Sequence, residues 1–103
     1  MKKKLFIAGH NGMLGSAILR HVKNKNLRIL LANRKQLDLE DLNSVEKWFK
    51  KNKPDYVIIA AAKAGGIVDN SKFPVEYMLV NIKIQMNIIS LSHKYKVKKL
   101  IFI

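Results

Sequence analysis

A doubly wound, parallel α/β sheet is the fold class that two features of this sequence predict. Short apolar runs recur along the chain, at Leu5–Ala8, Arg28–Ala32, Tyr56–Ala60 and Leu100–Ile103, separated by stretches with helical spacing. The first run leads straight into Gly9, Gly12 and Gly15, three residues apart, and then into a helical pattern. Strands that are apolar throughout, rather than at alternate positions, are covered on both faces, as in a parallel sheet flanked by helices. Strand and helix in strict alternation is the order that right-handed crossovers build into such a sheet. We expect about four strands and three main helices in one continuous unit over residues 1–103.

Each element has its own warrant. The helix after the glycines shows an apolar face of Leu14, Ala17, Ile18 and Val22. The second helix carries Val45, Trp48 and Phe49 at i, i+3, i+4 spacing. Asp41, Asn43 and Ser44 are its candidate N-caps. Lys53-Pro54-Asp55 ends it, because proline cannot continue a helix. After the third strand, a small-residue loop with Gly65-Gly66 precedes a long helix opening near Pro74. That helix has two apolar stripes. One is Val75, Met78, Leu79, Ile82, Met86 and Ile89; the other is Tyr77, Val80, Ile84, Ile88 and Leu91. A surface helix needs only one. The extra stripe fits further polypeptide or a two-fold partner packed along helix 74–95.

Composition narrows the function. The chain has 103 residues, 49% hydrophobic and 26% charged, ordinary for a globular domain. The absence of Cys excludes a disulfide framework, a Cys-ligated zinc and a thiol nucleophile in these residues. No run approaches the ~18 apolar residues of a membrane span. The Lys2–Lys4 start lacks a following apolar segment long enough for a signal peptide. A cytoplasmic location is the resulting expectation. The net charge of +13 is spread over scattered lysines without interleaved aromatics, so neither nucleic acid nor a membrane is an expected partner.

The glycine turn carries the functional signal. In Gly9-His10-Asn11-Gly12-Met13-Leu14-Gly15, the first glycine makes the tight turn and the second lets the backbone approach a pyrophosphate. The third lets the helix sit close to the sheet. The helix N-terminus then offers free N–H groups and partial positive charge to the anion. The spacing is G-x-x-G-x-x-G, not the commoner G-x-G-x-x-G. A Rossmann-like dinucleotide site is the expectation. At the end of the second strand an acid would hold the ribose 2′-hydroxyl of NAD, whereas an arginine accommodates the extra phosphate of NADP. This chain has Ala32-Asn33-Arg34-Lys35 there, with no acid before Asp38, so NADP is favoured.

On these residues the chain resembles the extended short-chain dehydrogenase/reductases, and within them the branch that epimerises and reduces GDP-linked 4-keto-6-deoxy sugars. The matching stretches are Ile7–His10 with Gly12–Ile18, Ala60–Ile67, and Asn81 through Ile89; the Ala-Ala-Lys-x-Gly-Gly-Ile block is the specific part. The resemblance implies that Gly9, His10, Asn11, Gly12, Met13, Leu14 and Gly15 wrap the pyrophosphate and that Arg34 meets the 2′-phosphate. It places Asp38 and Leu39 by the adenine, Ala60, Ala61 and Ala62 along the ribose and nicotinamide, and Lys63 to Ile67 near the sugar nucleotide. Family members often have an arginine where this chain has Asn11.

By the same resemblance, the catalytic residues lie beyond Ile103: a Ser after the fourth strand, a helical Tyr-x-x-x-Lys pair, and an acid/base Cys and His. The chain is then expected to be the partial cofactor domain of a longer enzyme, without the substrate domain, inactive alone and marginally stable. No catalytic residue and no metal ligand is assigned within it. Tyr95-Lys96-Val97-Lys98-Lys99 matches Tyr-x-x-x-Lys literally, but it precedes the fourth strand and reads as a frayed helix end with solvated lysines. Two alternatives remain: an epimerase or dehydratase for another nucleotide sugar, or a non-catalytic nucleotide-binding module.

Overall fold

The computed structural model describes residues 2–61 and 74–103. Its elements in chain order are β1 (Lys3–Ala8), α1 (Met13–Val22), β2 (Leu27–Leu30), α2 (Leu42–Asn52), β3 (Tyr56–Ile59), α3 (Pro74–Lys94) and β4 (Lys99–Phe102). The four strands form one sheet in the order β2-β1-β3-β4. Every pairing is parallel, with Phe6 opposite both Leu30 and Val57, and Ile59 opposite Phe102. The expected doubly wound pattern is what forms.

The strand order decides where the helices lie. From β1 to β2 the chain steps one way across the sheet; from β2 to β3, and on to β4, it steps the other way. Right-handed crossovers therefore put α1 on one face and both α2 and α3 on the other. Alternate residues of the strands divide accordingly. Phe6, Ala8, Val57 and Ile59 enter a core with Val45 and Phe49 of α2 and Ile84, Ile88 and Leu91 of α3. Leu5 and Ile7 are equally buried on the face of α1. Phe6 meets Trp48 at 4.1 Å between ring centroids and Phe49 edge-on at 6.1 Å, so α2 is seated on the centre of the sheet.

Of the two stripes on α3, Val80, Ile84, Ile88 and Leu91 pack into the core against the sheet, and Tyr77 is partly buried. Val75, Met78, Leu79, Ile82, Met86 and Ile89 are exposed, Met86 at 63%. The second strand runs Leu27–Leu30 rather than over Arg28–Ala32, because its ladder with β1 covers Lys3–Phe6. Among the candidate N-caps, Asp41 occupies the position, yet its carboxylate accepts from the Ser44 hydroxyl at 2.5 Å instead of capping the backbone.

The end of α3 is not frayed. Lys96 takes a left-handed conformation (φ 59°), its N–H donates to His93 O at 3.3 Å, and Val97 N–H donates to Ser92 O at 2.9 Å. That pair of bonds is a Schellman cap. The Tyr95 hydroxyl donates to Glu46 at 2.8 Å, and Lys94 forms an ion pair with the same carboxylate. Tyr95 thus ties the end of α3 to α2. The shared bonds hold the Glu46 carboxyl below its usual range, with Lys94 as the larger cause, and push the Tyr95 phenol up.

At the other end of the strands, Asp55 joins three of them. Its carboxylate accepts from Lys4 N–H at 2.8 Å, its own N–H donates to Lys4 O at 2.9 Å, and its carbonyl accepts from Lys98 N–H at 2.8 Å. The Lys4 N–H, followed by the charges of Lys3 and Lys98, holds the Asp55 carboxyl below the usual carboxylate range. A depressed folded-state value stabilises the fold above the ordinary carboxylate value and loses that stabilisation as pH falls through the depressed one. Asp55→Asn is therefore expected to flatten the loss of stability as pH falls through and below the ordinary carboxylate range, measured by denaturant unfolding. A slope as steep as that of the unaltered chain would assign the acid sensitivity to Glu46 or other carboxylates.

Candidate cofactor-binding site

The strand order places a crevice at the C-terminal ends of β1 and β3, beyond which the chain leaves for opposite faces of the sheet. Such a switch point is where open α/β sheets take their ligands. Here it holds a cleft of about 930 Å³. Three segments form its walls: Gly9, His10, Asn11 and Gly12 after β1; Ala32 to Lys35 and Leu37 to Glu40 after β2; and Ala60 and Ala61 after β3. Val80 and Ile84 of α3 close the side.

The three glycines are not equivalent. Gly9 has φ +93°, and a Cβ there would lie 2.6 Å from the backbone of Ala61. A Cβ on Gly15 would lie 1.8 Å from the carbonyl oxygen of Gly9. Both positions are filled by main chain, one from the neighbouring strand and one from the turn itself. Gly12 is different: its nearest contact would be Gly9 O at 3.5 Å, and it is exposed on the cleft. Its φ of −77° and ψ of 170° suit any residue. The space a side chain would occupy at residue 12 is left to whatever enters the cleft.

The turn is closed by Gly12 N–H donating to Gly9 O at 3.1 Å, and α1 begins with Ser16 N–H donating to Gly12 O at 2.9 Å. The N–H groups of Met13, Leu14 and Gly15 precede that first helical bond, as the leading N–H groups of any helix do. The side chains of Met13 and Leu14 do not line the cleft, Met13 being 93% exposed, and Gly15 is buried beneath the turn. What these three can offer a ligand is their backbone. His10 Nδ1 is buried without a hydrogen-bond partner, an unpaired polar atom at the cleft wall.

The loop after β2 is organised by short-range bonds. Asn33 and Gln36 bond each other's backbone N–H with their side chains, both at 2.9 Å. Asp38 accepts from Glu40 N–H at 3.0 Å, and Asn87 of α3 donates to Leu39 O at 3.0 Å. Leu37 is buried in the core, which anchors the loop from below. Arg34 and Lys35 stand exposed on the cleft, and the first carboxylate after β2 is Asp38, already engaged in its own turn.

The cleft brings together nine residues expected from the sequence, Gly9, His10, Asn11, Gly12, Arg34, Asp38, Leu39, Ala60 and Ala61. Ala62 and the Lys63–Ile67 block lie outside the described residues. Sequence reasoning missed the apolar wall of Leu37, Val80 and Ile84, whose spacing reads only as core. Among the described residues no group of His, Asp and Glu could hold a metal ion, and no helix is long and apolar enough to cross a membrane.

A glycine turn between strand and helix at the switch point of a parallel sheet defines a dinucleotide-binding α/β domain. Residues 5–103 match the model of the NAD dependent epimerase/dehydratase family, and the chain belongs to that family. It is 41% identical over 103 residues to the GDP-L-fucose synthase of Escherichia coli K12, covering 99% of this chain and 32% of that one. It is 43% identical over 101 residues to GDP-L-fucose synthase 1 of Arabidopsis thaliana, covering 97% of this chain and 31% of that one. Among solved structures, the Campylobacter jejuni GDP-mannoheptose C4 reductase with NADP bound superposes with a TM-score of 0.92 at 34% identity, over 98% of this chain and 30% of that one. The Naegleria fowleri GDP-L-fucose synthetase bound to NADP gives 0.81 at 28% identity, over 97% of this chain and 30% of that one. The chain thus spans about a third of the length of the curated relatives it matches.

The glycine geometry yields a contrast. Gly15→Ala is expected to destabilise the chain by about 1–3 kcal/mol, the usual range for forcing atoms into filled space, and Gly9→Ala likewise. Gly12→Ala should cost less, no more than about 1 kcal/mol for the poorer N-cap, because no atom fills the space there. Thermal melts of the three variants decide this, and equal losses at all three positions would contradict the assignment.

Proposed function

We propose that this chain is the cofactor-binding N-terminal part of a GDP-L-fucose synthase, an enzyme that epimerises and reduces GDP-4-keto-6-deoxymannose with NADPH. The observation that carries the cofactor assignment is the composition of the cleft: an open glycine at the start of α1, with Arg34 and Lys35 opposite and no carboxylate at the end of β2. The relatives named above support the substrate assignment.

The residues of this chain would bind and orient. The N–H groups of Met13, Leu14 and Gly15, with the positive end of α1, would face the diphosphate. Gly12 leaves that approach open. Arg34 would fork onto the 2′-phosphate, with Lys35 adding charge. Asp38 and Leu39 would flank the adenine, and Ala60 to Ala62 would line the ribose and nicotinamide. His10 would complete the wall of the turn beside the bound nucleotide. The bound cofactor supplies the hydride that reduces the C4 ketone. The family description names NAD; the absence of an acid at the end of β2 favours NADP in this chain. Asn11 leaves the glycine loop without the arginine many relatives carry, so Arg34 and Lys35 would bear the selectivity.

A second reading is supported by the 0.92 TM-score against the GDP-mannoheptose C4 reductase. It shares the cofactor and differs in the sugar. Both readings extend to a cytoplasmic enzyme acting as a homodimer through helix 74–95. The exposed stripe on α3, Val75 to Ile89, supports that pairing, since monomers seldom expose a continuous apolar face.

One set of measurements on the full-length protein tests this reading. Incubated with NADPH and GDP-4-keto-6-deoxymannose, it should form GDP-L-fucose, whereas turnover of a GDP-heptose instead would select the second reading. Arg34→Ala should weaken NADPH binding by about tenfold to a hundredfold, the loss of a forked charged contact, with NADH little changed. Met86→Lys should shift the sedimenting species from dimer to monomer. Absence of binding by either nucleotide would defeat the cofactor assignment outright.

A further inference from the structure

We propose that Gln36, acting through Asn33, is a positioning residue that fixes the choice between phosphorylated and unphosphorylated adenosine. The inference rests on the cofactor reading above and deepens it. Arg34 and Lys35 are the cations that face the cleft, and they occupy the middle of a four-residue turn. Long cationic side chains on a loose loop must be ordered when they bind, which weakens the contact. This loop is ordered in advance. Asn33 N–H donates to Gln36 Oε1 at 2.9 Å, and Gln36 N–H donates to Asn33 Oδ1 at 2.9 Å. The Asn33 carbonyl also accepts from Gln36 N–H at 3.0 Å and from Leu37 N–H at 2.9 Å. Four bonds therefore span the two cationic residues, and buried Leu37 fastens the far end to the core.

The arrangement is the reciprocal side-chain-to-backbone exchange of a capping box, used here to close a turn rather than to open a helix. Gln36 does not line the cleft, whereas Arg34 and Lys35 do. Anything Gln36 does to a ligand must pass through the turn. Asn11 is uncharged, so the glycine loop offers the 2′-phosphate no guanidinium. Its recognition depends on how well this one turn is held.

The test compares adenosine 2′,5′-bisphosphate with adenosine 5′-monophosphate, two probes that differ only in the 2′-phosphate. Binding of each to the full-length protein is measured by calorimetry, for the unaltered protein, Gln36→Ala and Gln36→Met. Both variants remove the acceptor for Asn33 N–H; the second keeps the side-chain length, and circular dichroism checks that each folds. The expected result is a loss of about fivefold in affinity for the bisphosphate, with the monophosphate changed by less than about twofold. An unchanged ratio of the two affinities in both variants, or equal weakening of the two probes, would overturn the role of Gln36. An unaltered protein that does not prefer the bisphosphate would instead overturn the NADP reading on which the inference stands.

Discussion

The carbonyl oxygen of Gly9 occupies the place where a side chain on residue 15 would begin, and the rest of the site follows from that contact. Because residue 15 is glycine, α1 can lie against the turn that leaves β1. Because Gly9 is at φ +93° with its α-carbon against Ala61, the same turn lies against the end of β3. The two contacts fix the start of α1 beside the crevice between the diverging strands. A helix start held there presents its leading N–H groups and its positive end to the cleft. Gly12, alone of the three, faces space that the fold leaves open.

The charge of the chain is distributed in keeping with that geometry. Arg34 and Lys35 stand at the C-terminal ends of the strands, where the cleft is. Lys3, Lys4 and Lys98 gather at the opposite ends around Asp55, which draws β1, β3 and β4 together by main-chain and carboxylate bonds. One end of the sheet sets cations beside an open cleft, and the other gathers cations around an anion. The net charge of +13 conceals this division because a sum carries no positions.

The parts legible in the sequence were those set by local pattern. Leu5–Ala8 and Tyr56–Ala60 announce strands because both are apolar runs, and Leu5–Ala8 is buried on both faces of the sheet. The glycine turn announces itself by spacing. Where a partner lies far along the chain, the sequence is silent. Nothing around Tyr95 points to Glu46, 49 positions earlier, so an anchored helix end reads as a frayed one. Both stripes of α3 are visible, but which one meets the sheet depends on how α3 sits against α2. The limits of β2 depend on how far β1 runs beside it. In the cleft, Leu37, Val80 and Ile84 look like core residues because they are core residues that also form a wall. The Asn33–Gln36 exchange had a signal, two amides three residues apart at the end of a strand, that is ordinarily sought only at helix starts.

The claim beneath all of this is that the backbone at the opening of α1 receives a diphosphate. A crystal structure of the full-length protein grown with NADPH tests it directly. The account predicts diphosphate oxygens within hydrogen-bonding distance of the N–H groups of Met13 and Leu14, passing over Gly12, with the 2′-phosphate against Arg34. A dinucleotide bound elsewhere, or one lying in this cleft with its diphosphate turned away from α1, would contradict it.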